Sequence, residues 1–162
     1  MYISGIDPTK VRTSAEGSVF ALGQRGATSN GNEYVYIRAK GAIAAFTYCG
    51  IDEVWDAAEA TTTTQAAGTG QGQRGCIPQV AIADDGYGWG AIYGGGGTLQ
   101  VLAATNCAKY TTLCTTATDG VLDDAAVNAG KVVGVVLEET ITTAAAADCS
   151  VCYPSTLLDA TT

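Results

Sequence analysis

The stretch YGWGAIYGGGG, from Tyr87 to Gly97, limits the fold more than any other part of the chain. Aromatic and branched residues interleaved with glycine predict a strand over 87–94. Gly88 and Gly90 alternate with Tyr87, Trp89 and Ala91, so one face carries side chains and the other is nearly bare. A bare face admits another backbone or a ring at close range, inside the chain or between subunits. Asp84-Asp85-Gly86 supplies turn chemistry ahead of this strand, and Gly94–Gly97 makes a pliant link behind it.

Neither phosphate-binding reading of the glycines fits. A P-loop needs a Lys-Ser or Lys-Thr after its last glycine, and the nearest downstream lysine is Lys109. A dinucleotide fingerprint needs glycines that open a helix, whereas "GTLQVLA" at 97–103 reads as another strand.

Further strands are predicted in "EYVYIRA" (33–39), "AFTYCGI" (45–51), "CIPQVAIAD" (76–84, with Pro78 near its start) and "KVVGVVLEETITT" (131–143, bent at Gly134). "DCSVCYP" (148–154) is another, closed by Pro154; "YTTLCTT" (110–116) and "GVLDD" (120–124) are weaker. In 33–39, Val35, Ile37 and Ala39 share one face and Tyr34, Tyr36 and Arg38 the other. "DEVWDAAEA" (52–60) has the composition of a short helix capped by Asp52, and opens a long Thr/Gly/Gln excursion to 75. Short strands with frequent turns predict an all-β domain: a single β-barrel, tulip-like, or a sandwich. Residues 1–30 read as an extended N-terminal arm whose apolar part is "VFAL" at 19–22; residues 31–162 form the β-rich domain.

Composition narrows function. The 162 residues carry a net charge of −8, and the eight basic residues form no block. Nucleic-acid binding requires clustered Lys and Arg and is not expected. No apolar run approaches the roughly 18 residues of a membrane span, so no membrane partner is expected. The N-terminus lacks a basic and apolar leader, which predicts synthesis in the cytosol. Histidine is absent, so the commonest general base is missing and Ser-His or Cys-His catalysis is excluded. The acid pairs Asp52-Glu53, Asp84-Asp85, Asp123-Asp124 and Glu138-Glu139 fall in turns or point to opposite faces, and none marks a hydrolase. Cys149 and Cys152 form the one CxxC, with no second pair for zinc; most of the six cysteines read as small buried hydrophobes. The chain is read as non-enzymatic, with no metal and no cofactor.

The segments "GNEYVYIRAKGAIAAFTYCGID", "PQVAIADDGYGWGAIYG", "LQVLAATNCAKYTTLCTTATDGVLDD", "VVGVVLEETITT" and "CYP" occur in this order over 31–154. Together they resemble the capsid decoration, or cement, proteins of tailed phages. The most specific part is "VAIADDGYGWGAIYG". The resemblance implies a β-rich domain on the outer face of an HK97-type shell, bridging neighbouring capsomers. The partners it implies are the major capsid protein and further copies of the chain, a trimer before a dimer. The arm at 1–30 is then expected to order on the shell, with the domain folding without it. Interface anchors are expected at Val19, Phe20, Leu22, Trp55, Tyr87, Trp89 and Tyr93. The alternative is a virion-surface carbohydrate-binding module using Tyr34, Tyr36, Tyr87, Trp89 and Tyr93 as a sugar platform.

Overall fold

A computed structural model describes residues 2–65, 74–125 and 130–157. Among them there are twelve strands and no helix. In chain order these are β1 (Tyr2–Ser4), β2 (Arg25–Ala27), β3 (Glu33–Ala39), β4 (Cys49–Ile51), β5 (Asp56–Glu59) and β6 (Arg74–Pro78). They continue as β7 (Tyr87–Gly94), β8 (Gln100–Ala103), β9 (Leu113–Thr115), β10 (Leu122–Asp123), β11 (Lys131–Leu137) and β12 (Ala145–Leu157).

The hydrogen-bond ladder closes on itself twice. In the first circuit β3 pairs with β5, β5 with β4, β4 with β6, β6 with β7, and β7 returns to β3. In the second, β12 pairs with β11, β11 with β9, β9 with β10, β10 with β8, and β8 returns to β12. Strand β12 also pairs with β6 and β7, which joins the two circuits. The all-β, barrel-like architecture expected from the sequence is present, as two small five-stranded barrels side by side.

A five-stranded barrel has a narrow lumen, because diameter falls with strand number. The first is filled by Val35, Ile37, Ala39, Ile43, Cys49, Ile51, Ala57, Cys76, Ile82 and Ile92. This explains the bare face of β7. A Cβ on Gly90 would lie 2.4 Å from the Cys76 sulfur, and one on Gly88 would lie 2.6 Å from Cδ1 of Ile82. The glycines make room for the barrel's own interior rather than for a second subunit.

The other face of β3 and β7 turns outward and is still buried. Tyr34, Tyr36, Trp89 and Ala91 join one cluster with the filling of the second barrel, including Leu99, Val101, Leu113, Leu122, Leu137 and Val151. The two faces predicted for β3 therefore serve two cores.

Three local expectations are corrected. The 52–60 segment is a hairpin rather than a helix. Asp52 does cap, but its Oδ1 accepts from the amides of Val54 and Asp56, which closes a turn into β5. Strand β6 ends at Pro78 instead of running on to 84, since proline cannot donate to the next rung. Pro154 lies inside β12 because a bulge receives it. One residue, Gly134, separates the paired Val133 and Val135, while three separate their partners Ser155 and Val151. Gly134 has φ 78°, and a Cβ there would strike the Cys152 carbonyl oxygen at 2.3 Å.

Residues 1–30, expected as an extended arm, also make contacts within the chain. The segment orders on its own chain. β2 pairs with β3, β1 runs parallel to β2, and Arg12 bridges Tyr87. The Phe20 ring lies 5.2 Å from Tyr36 and 5.1 Å from Trp89, closing over the outer face of the first barrel.

Two outcomes follow. Gly90→Ala destabilises the protein by about 1–3 kcal/mol in urea unfolding, the usual effect of overpacking. Removal of residues 1–24 uncovers the aromatic face and costs on the order of 3 kcal/mol, from the buried parts of Phe20 and Leu22. The loss is read in the same unfolding curves, with a changed near-UV dichroism of Trp89.

Candidate functional site

One end of the first barrel opens into a cleft of about 290 Å³. Its floor is the barrel's own filling, Val35, Ile51 and Ile92, all buried. Its rim is Arg25 from β2, Trp55 from the turn before β5, Arg74 and Gly75 from β6, and Tyr153–Ser155 from the β12 bulge. Barrel mouths are a common place for ligand sites because the sheet fixes the floor while loops vary the rim.

The rim is pre-arranged. The Arg74 guanidinium sits 4.1 Å above the Trp55 ring and donates to the Asp52 carbonyl. On the other side, a Cβ on Gly23 would fall within 2.3 Å of the indole, so glycine is needed there for the ring to lie where it does. The Arg25 guanidinium is 5.6 Å from the Tyr153 ring. The Tyr153 hydroxyl donates to Glu33 Oε2 at 3.0 Å, which pushes its ionisation upward. Trp55 (φ 69°) and Tyr153 (φ 47°) both adopt the left-handed backbone that bulky residues avoid. Tyr93, next to Tyr153 at 5.7 Å between ring centres, extends the aromatic surface beyond the rim.

Many of the described carboxylates hold loops away from the cleft. Glu59 accepts from the Ala44 amide, Asp84 from Gly41, Asp124 from Ala108 and Glu139 from Asp148. Asp56 is bound by both Nε and Nη2 of Arg38. Glu138 caps the glycine run at Gly96 and Gly97. Its two oxygens take the Gly96 and Gly97 amides at 3.0 Å each, and Ser150 donates to it as well. With φ 66° and 73°, these glycines form an anion-binding nest, and the anion is the protein's own. The Ser150 hydroxyl first, and the Gly96 and Gly97 amides after it, hold the Glu138 carboxyl below its ordinary range.

All six cysteines are free thiols. Five are buried; Cys152 is exposed. Burial pushes Cys49 and Cys149 up to about 12 and Cys76 well above its usual value. Cys107, Asp123 and Asp124 bring a sulfur and two carboxylates within 4.8 Å of one another. There Asp123 accepts from the Ala125 amide and Asp124 from Ala108, while burial, the largest influence, raises the Cys107 thiol. That raises the cost of forming the thiolate a metal would require, and the three residues tie a loop to β10.

The expected interface set divides. Trp89 is 1% exposed and belongs to the core. Phe20, Leu22 and Tyr87 are half-buried against that core, Tyr87 stacking on Tyr36 at 6.4 Å. Val19 and Tyr93 are exposed, at 54% and 43%, and Trp55 alone lies on the cleft rim. Tyr34, Tyr36 and Trp89 are too deeply buried to belong to a sugar platform. The sequence reading missed Arg25, Arg74 and Tyr153. The odd spacing of the Tyr153-Pro154 pair against Val133–Val135 is a bulge signal visible only once the register is known.

Comparison of the chain with protein-family models, with curated proteins and with solved structures gave no match.

A pH effect follows from the nest. Glu138 stabilises the fold as a carboxylate, so its contribution is complete above its unfolded value near 4.5 and disappears as pH falls through its lower folded value. Glu138→Gln should lower stability at neutral pH by on the order of 1 kcal/mol, allowing for solvent screening. Urea midpoints of the two proteins should converge in acid, below the ordinary carboxylate range.

Proposed function

We propose that this chain is a non-catalytic binding protein of a virion, a decoration protein that clamps the outer face of a tailed-phage shell. The observation that carries the reading is the composition of the barrel mouth. Arginine, tryptophan and tyrosine are the residues that dominate protein–protein hot spots. Here Arg25, Arg74, Trp55 and Tyr153 meet on one rim, with Tyr93 beside them. The described acids support the reading, since several of them, Asp52, Glu59, Asp84, Asp124 and Glu138 among them, accept backbone amides. So does the low charged fraction of 15%, which leaves a surface of small neutral groups suited to close contact. The order of sequence segments that resembles decoration proteins gives the partner class: the major shell protein, with copies of this chain around it.

The carbohydrate-binding reading keeps one favourable observation, the exposed Tyr93–Tyr153 pair. Its rings are tilted by 32° and so do not offer one flat face to a sugar.

Quantitative mass spectrometry of purified particles tests the proposal. A copy number close to one per shell subunit is expected; a handful of copies, or none, overturns it. Any disulfide between subunits on those particles should run through Cys152, the exposed thiol.

A further inference from the structure

A chain of net charge −8 has eight basic residues, and two of them are placed on one cleft. Arg38 is ion-paired with Asp56. Arg25 and Arg74 are different: among the described residues neither has a carboxylate partner within 4 Å. The nearby acids are engaged in other ways. Asp52 Oδ1 takes two turn amides, and Glu33 Oε2 takes the Tyr153 hydroxyl. Each guanidinium instead lies over an aromatic ring, which fixes its position without neutralising it. Between and below them the floor is apolar, made of Val35, Ile51 and Ile92.

From this we infer that the barrel mouth is a docking site for an acidic segment of a protein partner, one that presents a carboxylate beside an apolar side chain. The inference rests on the binding-protein reading above and names the chemistry of its contact. Guanidinium forks bind carboxylates through paired hydrogen bonds, and a pre-positioned fork loses little freedom in doing so. The floor takes the apolar side chain. A volume of about 290 Å³ lies at the small end of ligand pockets, roughly 300–1,000 Å³, and suits one side chain with its charged neighbour rather than an oligosaccharide. The Trp55 face that a sugar ring would stack on is covered by Arg74.

Trp55 reports on the site directly. The chain has two tryptophans, and the other, Trp89, is buried in the core. The probes are the blocked peptide acetyl-Phe-Glu-Phe-Glu-amide and its glutamine counterpart, added to the full-length protein, with Trp55→Phe as the background. The acidic peptide should shift Trp55 emission saturably, and the glutamine peptide should bind roughly tenfold more weakly or less. Arg25→Ala and Arg74→Ala should each weaken binding several-fold by calorimetry, with Arg74→Lys in between. Arg25 is exposed, so its variant keeps the fold and the test remains valid if the Arg74 variant does not. Equal affinity for the two peptides, no saturable signal up to ~10 mM, or a response to neutral oligosaccharide alone would overturn the inference.

A second arm separates this inference from the decoration reading. If wild-type chain loads onto particles and the Arg25→Ala, Arg74→Ala double variant does not, both stand. Equal loading of the two overturns the docking site and leaves decoration intact. Absence of the wild type from particles overturns decoration, while the peptide titration still decides the site.

Discussion

The narrow lumen of the first five-stranded barrel is the constraint on which the rest depends. Closing five strands leaves little room inside, and the sequence meets this with small groups: Ala39, Ala57, Cys49, Cys76, and no side chain at all at Gly88 and Gly90. With so small an interior, one barrel buries too little apolar surface to be stable alone. The outer face of β3 and β7 supplies the remainder. Its large rings, Tyr34, Tyr36 and Trp89, pack with the filling of the second barrel, and Phe20 of the N-terminal segment seals them. Along β7, glycines face the barrel interior at positions 88 and 90 while Trp89 faces outward, the reverse of the usual order, and the second barrel covers that outer face.

With no helices in the described residues, loops must be held by side chains. The acids do this. A carboxylate accepting backbone amides satisfies groups that a helix or ladder would otherwise pair. Glu138 on its glycine nest is the fullest case, and Asp52 at the β4–β5 turn is another. An acidic chain without histidine thus puts its charge to structural use. Arg25 and Arg74, which share one cleft and have no carboxylate partner among the described residues, stand out against that pattern.

Much of this was legible beforehand. Strands β3 and β7 coincide with the predicted 33–39 and 87–94, because β-branched and aromatic alternation is strong there. The bend at Gly134 was also legible, since glycine inside a strong strand marks a bulge. The alternation in β3 showed two faces but not that both are buried, since pattern alone cannot reveal a second layer. For the same reason Trp89 read as an interface residue. The helix expected at 52–60 failed because Ala and Glu favour a helix only over several turns, while Asp52 and a left-handed Trp55 close a hairpin locally. The N-terminal segment read as an extended arm because its apolar contacts are single residues spaced far apart: Ile6, Phe20 and Leu22.

Strain at the barrel mouth bears on what the mouth is for. Holding Trp55 and Tyr153 in left-handed backbone costs of order 1–3 kcal/mol each. Glycine at either position would remove that cost. What the folded chain gains in return is local: the indole lies against Gly23 and under Arg74, and the phenol reaches Glu33 and Arg25. These contacts are partly exposed, and exposed pairs of this kind are weak. Stability alone therefore gives a thin reason for two aromatic residues on one rim in unfavourable backbone. A rim whose guanidinium groups must already be in position when a carboxylate arrives gives a stronger one, since groups ordered beforehand need not be ordered on binding.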